Sequence, residues 1–440
     1  MELSAGDTAW VLASASMVLL MTPGLAFFYG GMVRSKSVLN MMMMSFVTIG
    51  IVSVLWTIFG YGLAFGDSGS SFFGSIGFSN LGSLVNSFPN NGGEYPIPEL
   101  AFSAFQLMFA IITPALISGA IADRAKLLAW SIFVAVWVSL VYFPVAHWVF
   151  DFGTKAQDGT ISGAGWLASL GVLDFAGGTA VHINAGAAGL ALALVLGKRE
   201  GFGRIPMKPH NLPLVLIGAG LLWFGWFGFN AGSSLGANAT ASLALVNTQV
   251  ATAAALLGWL VVERIRDGHA TSLGAASGAI SGLVAITPAC AFVAPWAVVV
   301  IGLMAGAICA VAVGLKYKLG FDDSLDVVGV HLVGGIVGCL SIGLLGTRSV
   351  NSLGANGLFY GGGVELLGKQ AVGAFSVLAY SFVVTYLLGQ LIAKTIGFRI
   401  NRADEVSGID IAEHLENGYE FGQVGAGGSF TNRIPASREG

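Results

Sequence analysis

Residues 172–186 read VLDFAGGTAVHINAG, and the apolar run that they open continues without a charge as far as Leu196. An aspartate and a histidine eight positions apart, Asp174 and His182, stand inside a stretch of Val, Leu, Phe, Ala and Gly. A run of about 20 mostly apolar residues is what a helix needs to cross a bilayer. An ionisable group near the bilayer centre costs at least about 2.5 kcal/mol, so such groups face a bundle interior or a water-filled cavity. The stretch therefore poses the fold and the function together: a membrane span that turns polar groups toward its neighbours.

Composition supports the membrane reading over the whole chain. Of 440 residues, 55% are hydrophobic and only 10% charged, against roughly 25% charged in a soluble protein, and the mean hydropathy is +0.80. A net charge of −3 gives no basic field, so nucleic acid is excluded as a partner class. Cys290, Cys309 and Cys339 lie within apolar runs without metal-ligand spacing and read as small buried hydrophobes. No metal or cofactor is expected. The first residues, MELSAGDTAW, carry no Lys or Arg, so the first apolar run reads as a retained span rather than a secretory signal.

Breaking the chain at charged or turn-rich segments gives eleven spans: about 8–33, 38–65, 99–121, 127–150, 166–197, 212–233, 240–262, 271–293, 295–315, 327–347 and 370–396. Lys and Arg follow every odd-numbered span: Arg34 and Lys36, Arg124 and Lys126, Lys198 and Arg199, Arg264 and Arg266, Lys316 and Lys318, Lys394 and Arg399. By the positive-inside rule this predicts an all-α polytopic membrane protein with its N-terminus outside and its C-terminus cytoplasmic. The 34-residue loop GDSGSSFFGSIGFSNLGSLVNSFPNNGGEYPIPE (66–99), rich in Gly, Ser and Asn, reads as a solvent-side connection. Residues 1–398 form the membrane domain and 399–440 a cytoplasmic tail.

Within the expected spans the titratable side chains reduce to Asp174, His182, His331 and His147. A lone intramembrane histidine is more often a packing residue, and His147 is read as that. His182 and His331 each follow an aspartate, in DFAGGTAVH and DVVGVH, and they fall in spans five and ten. Five is odd, so a duplicated group of five enters from the opposite side. Two such halves, about 8–197 and 212–347 with a final helix at 370–396, would be inverted repeats whose sites meet at the midplane. In LLWFGWFGFNAGSS (221–234), Trp226 and Phe229 share a helix face with Ser233 nearby, a group suited to cation capture by ring faces. No nucleophile with a base and an orienting partner emerges, so the chain does not read as an enzyme.

The motifs TPGLAFFYGGMVRSK (22–36), SGAIAD (118–123), DFAGGTAVHINAG (174–186), GWFGFNAGS (225–233) and DDSLDVVGVHLVGGIVG (322–338) resemble, in this order, the ammonium transporter family (Amt/Mep/Rh), on its Amt side. The resemblance implies an eleven-helix protomer, a homotrimer with one pore per protomer, and inverted five-helix repeats. It places twin pore histidines on His182 and His331, the recruiting aspartate on Asp174, gate phenylalanines on Phe109 and Phe229, and the outer cation site on Trp226 and Ser233. A second vestibule tryptophan of the family falls near Phe150, with Trp148 as the alternative. The segment EVSGIDIAEHLENGYEF (405–421) resembles the family's regulatory tail, which puts Gly408, Asp410, Glu413, His414 and Tyr419 on a face where a PII-type signalling protein docks in bacteria.

Ammonium and potassium share charge and approximate size, so selectivity must use hydrogen-bond donation and loss of a proton. The expected mechanism recruits ammonium at the outer site, deprotonates it at the phenylalanine gate, and passes ammonia along neutral imidazoles that donate and accept, with net electrogenic uptake through a plasma (inner) membrane. The alternatives are an ammonium sensor that signals through its tail and a neutral ammonia channel.

Overall fold

The computed structural model describes residues 2–419. The expected apolar runs are helices: α1 (Ala5–Met32), α2 (Ser35–Phe65), α3 (Glu99–Ile121), α4 (Leu127–Phe150), α5 (Gly178–Leu196), α6 (Leu212–Gly232), α7 (Ala239–Asp267), α8 (Ser272–Ile286), α9 (Pro295–Leu319), α10 (Val328–Leu345) and α11 (Glu365–Thr395). Ten of these are long and apolar enough to cross a membrane, and α8 is a shorter apolar helix. Two short tail helices follow, α12 (Arg402–Ser407) and α13 (Ile409–His414).

Polar residues placed before the apolar runs begin several of these helices. Ser4, Asn211, Asn238 and Thr271 each accept a hydrogen bond from the backbone N–H three residues on, which satisfies donors that a helix start leaves open. Small residues then set how closely the helices approach. On α6, a side chain at Gly218 would meet the Phe28 nitrogen of α1 at 2.2 Å.

The basic ends gather at one end of the bundle. Arg34 pairs with Asp123 at 3.4 Å, and Arg199 pairs with Asp123 at 3.1 Å and Asp322 at 2.9 Å. The buried Arg124 donates to the Asp322 carbonyl at 2.6 Å and to Ser324, while Arg399 reaches the Leu196 carbonyl. The ends of α1, α3, α5 and α11, the start of α10 and the tail therefore share one face. The opposite end holds the 66–98 loop, a two-stranded hairpin of β1 (Thr154–Lys155) and β2 (Ile161–Ser162), and the junction where Asp7 accepts from the Ala237 N–H.

Two expectations change. The fifth span does not begin at 166: Trp166–Leu170 is a separate helical turn, the chain breaks at Gly171 (φ 84°), and helix resumes only at Gly178. Left-handed Gly171 and Gly177 (φ 117°) are incompatible with a continuous helix, and Asp174 occupies the break. The eighth run, 271–293, is helical only to Ile286 and continues as turns.

Candidate functional site

The Asp174 carboxylate fixes the start of α5. Its Oδ1 accepts from Gly177 and Gly178 N–H at 2.8 and 2.7 Å, and its Oδ2 from Thr179 and Ala180 at 2.7 and 3.1 Å. Its acceptor positions are thus taken by backbone, so the side chain acts on its surroundings as a negative field near the helix start. The same device recurs before α10. Asp323 accepts from Val327 and Val328 N–H at 3.1 and 2.7 Å, and it stands eight positions before His331, as Asp174 does before His182. Asp326, the aspartate that the sequence reading paired with His331, instead forms an ion pair with Lys316 at 2.6 Å.

Both histidines sit in π-helical turns, Gly178–Ile183 and Val328–Leu332; such local widening re-aims a side chain within a helix and is frequent at functional sites. The crossing of α5 and α10 is reciprocal. A side chain at Gly186 would meet the Leu332 nitrogen at 2.5 Å, and one at Gly335 would meet the Ile183 nitrogen at 3.2 Å. Each glycine lies four residues after its own histidine and opposite the residue following the other. This close approach brings His182 and His331 together, with Nδ1 to Nδ1 at 3.3 Å and ring centroids 5.3 Å apart. A hydrogen bond between two Nδ1 atoms requires one donor and one acceptor, so the two rings present unlike Nε2 atoms. The His182 Nε2 is buried and has no hydrogen-bond partner among the described residues.

Aromatic rings stack above the pair. Phe109 and Phe229 lie at 4.2 Å and 30°. His182 lies 6.1 Å from Phe229 and 5.4 Å from Trp226, nearly parallel to both. Beyond Phe109 opens a cavity of about 940 Å³, at the end of the bundle away from the tail, lined by Phe109, Phe150, Asp174, Ser233, Gln106 and Phe292 among others. The cavity, the stacked phenylalanines and the imidazole pair thus follow one another into the protein.

Two of the expected positions differ. Trp226 does not line the outer cavity: it is one helical turn deeper than Phe229, fully buried against His182, and its Nε1 donates to Thr287 Oγ1 at 2.8 Å. Trp148 is likewise outside the cavity, with its Nε1 on the Phe72 carbonyl at 2.7 Å and its ring 4.7 Å from Tyr380. Phe150 takes the cavity position, 6.5 Å from Phe109. Ser233 lines the cavity while its hydroxyl donates to the Phe229 carbonyl at 2.8 Å. His147 is bonded on both ring nitrogens, to the Ala64 and Ser70 carbonyls, and its Nδ1 is also 3.0 Å from Asp151.

The family model of the Ammonium Transporter Family matches residues 9–419. The chain belongs to the ammonium transporter family. An ammonium transporter of Mycobacterium tuberculosis is 54% identical over 98% of this chain and 93% of its own, and one of Bacillus subtilis is 46% identical over 94% and 98%. Among solved structures, Saccharomyces cerevisiae Mep2 is similar with a TM-score of 0.81 and 34% identity, covering 92% of this chain and 89% of that one. A structure titled Sensor Amt Protein has a TM-score of 0.82 and 29% identity, with 93% and 98% covered. The family is one of transporters rather than enzymes.

Two residues of this ammonium transporter family member escaped the sequence reading. Asp323 was legible from the repeated eight-residue spacing, whereas Thr287 carries no signal beyond its place after α8. The tail residues lie against the basic end of the bundle. Asp410 accepts from Leu39 and Asn40 N–H at 3.0 and 2.8 Å, Glu413 from Leu127 N–H at 3.0 Å, and His414 Nε2 meets Asn40 Oδ1 at 3.1 Å. Burial pushes the Asp410 carboxyl up, against the pull of those amides and of His414. Gly408 (φ 138°) turns the chain between α12 and α13 against Lys36, and Tyr419 OH meets His210 Nε2 at 2.9 Å. Glu420 and Phe421 of the tail motif lie outside the described residues.

Proposed function

We propose that this protein carries ammonium selectively across the plasma membrane, with the 940 Å³ cavity facing outward and the tail face in the cytoplasm. The observation that carries the reading is the buried His182–His331 pair beneath the Phe109–Phe229 stack, with His182 Nε2 left without a partner among the described residues. A buried polar atom in that position costs free energy unless a guest completes it.

In this reading ammonium collects in the outer cavity, drawn by the Asp174 field and held by the faces of Phe109 and Phe150 with Ser233. Passage between the stacked phenylalanines strips water. Below them an intact cation meets the imidazole pair and no carboxylate bonded to it among the described residues, so one N–H bond of ammonium breaks there, the proton passing to the imidazole pair or to water and ammonia remaining. Ammonia has three donors and one acceptor lone pair, and the unlike Nε2 atoms of His182 and His331 can accept from it and donate to it. Potassium, which has no proton to release, stops at the stack. The proton crosses separately, along the imidazole pair or water, so that net positive charge moves.

The reading includes eleven crossings, with α8 and its following turns as the eighth, and inverted repeats centred on the α5–α10 crossing. Assembly as a homotrimer and docking of a PII-type protein on the tail face belong to it as well, resting on family resemblance.

Currents from proteoliposomes given ammonium and potassium pulses test the mechanism, for the unmodified protein and for His182→Ala and His331→Ala. A current with ammonium alone, altered in both variants, is expected. Internal alkalinisation without current would replace net ammonium transfer by neutral ammonia permeation.

A further inference from the structure

The 66–98 loop differs in character from a solvent-side connection. Phe72, Phe73, Ile76 and Phe78 are 57%, 41%, 80% and 73% exposed, and no charged residue occurs between Asp67 and Glu94. A contiguous apolar group of this kind on a solvated surface marks an interaction site.

Its backbone shows where that site lies. After Gly66 the chain doubles back along α2: Gly74 N–H donates to the Leu63 carbonyl at 2.8 Å, and Ser79 N–H donates to the Ile58 carbonyl at 2.7 Å. Ile58 precedes the last helical residue, Phe65, by seven positions, so the returning segment reaches about 10 Å below the helix end at 1.5 Å per residue. The contact is close. A side chain at Gly74 would meet the Gly62 carbonyl oxygen at 2.4 Å. Ile58 and Val54, on the α2 surface below it, are 44% and 57% exposed, which places the segment beside an exposed apolar face of the bundle.

Several peptide groups of residues 69–75 are satisfied within the protein, as a hydrocarbon boundary favours. The carbonyls of Ser70, Ser71, Phe72 and Phe73 accept from His147 Nε2, Trp166 N–H, Trp148 Nε1 and Ser68 Oγ. The N–H groups of Gly69, Ser70, Phe72 and Ser75 are bonded within the protein. The backbone is therefore held inward at residues 69–75 and at Ser79, and the side chains of Phe72, Phe73, Ile76 and Phe78 are left exposed.

We infer that residues 72–78 are a wedge seated in the membrane leaflet on the cavity side, with Phe73, Ile76 and Phe78 among acyl chains near the headgroups. The occupant of this surface is lipid because the segment continues the exposed apolar belt of α2, lies below the helix end, and has no charge. The proposal rests on the membrane-spanning fold and is independent of how ammonium crosses.

Single-site labelling tests it. Cys290, Cys309 and Cys339 are buried, so an environment-sensitive maleimide dye reports on an introduced cysteine. Ile76→Cys and Phe78→Cys, with Thr160→Cys on the exposed hairpin as control, are reconstituted in nanodiscs made with plain or acyl-brominated lipid, and ammonium uptake is checked on parallel proteoliposomes. Brominated lipid is expected to reduce emission at 76 and 78 about twofold, with little quenching by aqueous iodide, as for an element buried at the acyl boundary. The control should show the reverse. Iodide quenching at 76 and 78 like that at 160 would place the segment in water and overturn the proposal. Quenching by neither agent would mean that protein covers it, a second copy of this chain included, and would overturn it equally. Loss of uptake with bromine quenching intact would count against the transport reading alone.

Discussion

At the scale of single residues, Asp174 and Asp322 show two ways in which a buried carboxylate holds this structure together. Asp174 accepts four backbone N–H groups at the start of α5. Asp174→Ala leaves four donors without a partner, each costing about 1–3 kcal/mol when buried, and is expected to abolish accumulation of folded protein, read by detergent-extracted yield and size-exclusion profile. Asp174→Asn keeps one acceptor oxygen but turns an NH₂ toward one of the two pairs of amides, and a milder loss is expected. Normal yield for Asp174→Ala would show that water replaces the carboxylate. Asp322 is gripped by Arg199 through two guanidinium nitrogens and its own amide. Burial works to raise the Asp322 carboxyl, but the hydrogen bonds and charge of Arg199 outweigh it and hold the group below the usual carboxylate range. A carboxyl depressed on folding contributes stability that is complete above the unfolded value of about 3.9 and is lost as pH falls through the folded value. The thermal midpoint of the unmodified protein should therefore drop as pH is lowered below 4, while Asp322→Asn should start lower at neutral pH and fall less steeply. Parallel acid slopes would assign the acid sensitivity to other carboxylates.

At the scale of elements, the α5–α10 crossing sets the spacing of the imidazole pair. Because Gly186 faces the Leu332 backbone nitrogen and Gly335 the Gly178 carbonyl oxygen and Ile183 nitrogen as well as the Ile183 side chain, a larger residue cannot be fitted by moving side chains alone. Gly186→Val is expected to separate the helices, cutting ammonium uptake more than tenfold if the protein folds, since overpacking costs typically 1–3 kcal/mol and shifts backbone. Radiotracer uptake normalised to protein in the membrane checks this, and unchanged uptake would mean that the spacing tolerates more than the packing implies. These elements also show what the sequence could reveal. Apolar length and the alternation of Lys and Arg made the helices legible, because both are averages over many residues. The break at 171–177 was not, since left-handed glycines and a capping carboxylate interrupt a run whose composition stays apolar. The depth of Trp226 was missed for a similar reason: motif spacing placed it beside Phe229 and Ser233, whereas helical rise carries it one turn inward, onto His182.

At the scale of the whole molecule, the described part of the tail, residues 399–419, is part of the bundle's face rather than an appendage. Asp410 and Glu413 complete the starts of α2 and α4, and Glu405 accepts from the Glu200 N–H at 2.7 Å and pairs with Arg399. Caps of this type contribute about 0.5–2 kcal/mol each. The double variant Asp410→Ala/Glu413→Ala should release residues 402–419, seen as faster protease cleavage after Arg402 with the membrane helices still intact. Equal cleavage rates would show that the remaining contacts are enough to hold the tail. The sequence located this segment by motif, but its role as a partner for helix starts depended on chain ends far apart in sequence and became visible only in the folded molecule.

The stacked pair Phe109 and Phe229, with rings 4.2 Å apart, has a consequence for the cell as an electrical system. Under the proposed mechanism the rings in contact interrupt any thread of water between the two faces, so that an idle protein conducts neither protons nor sodium. Under that mechanism many copies can then reside in an energised membrane without running down its voltage, and the current drawn is set by how often ammonium arrives to part the rings.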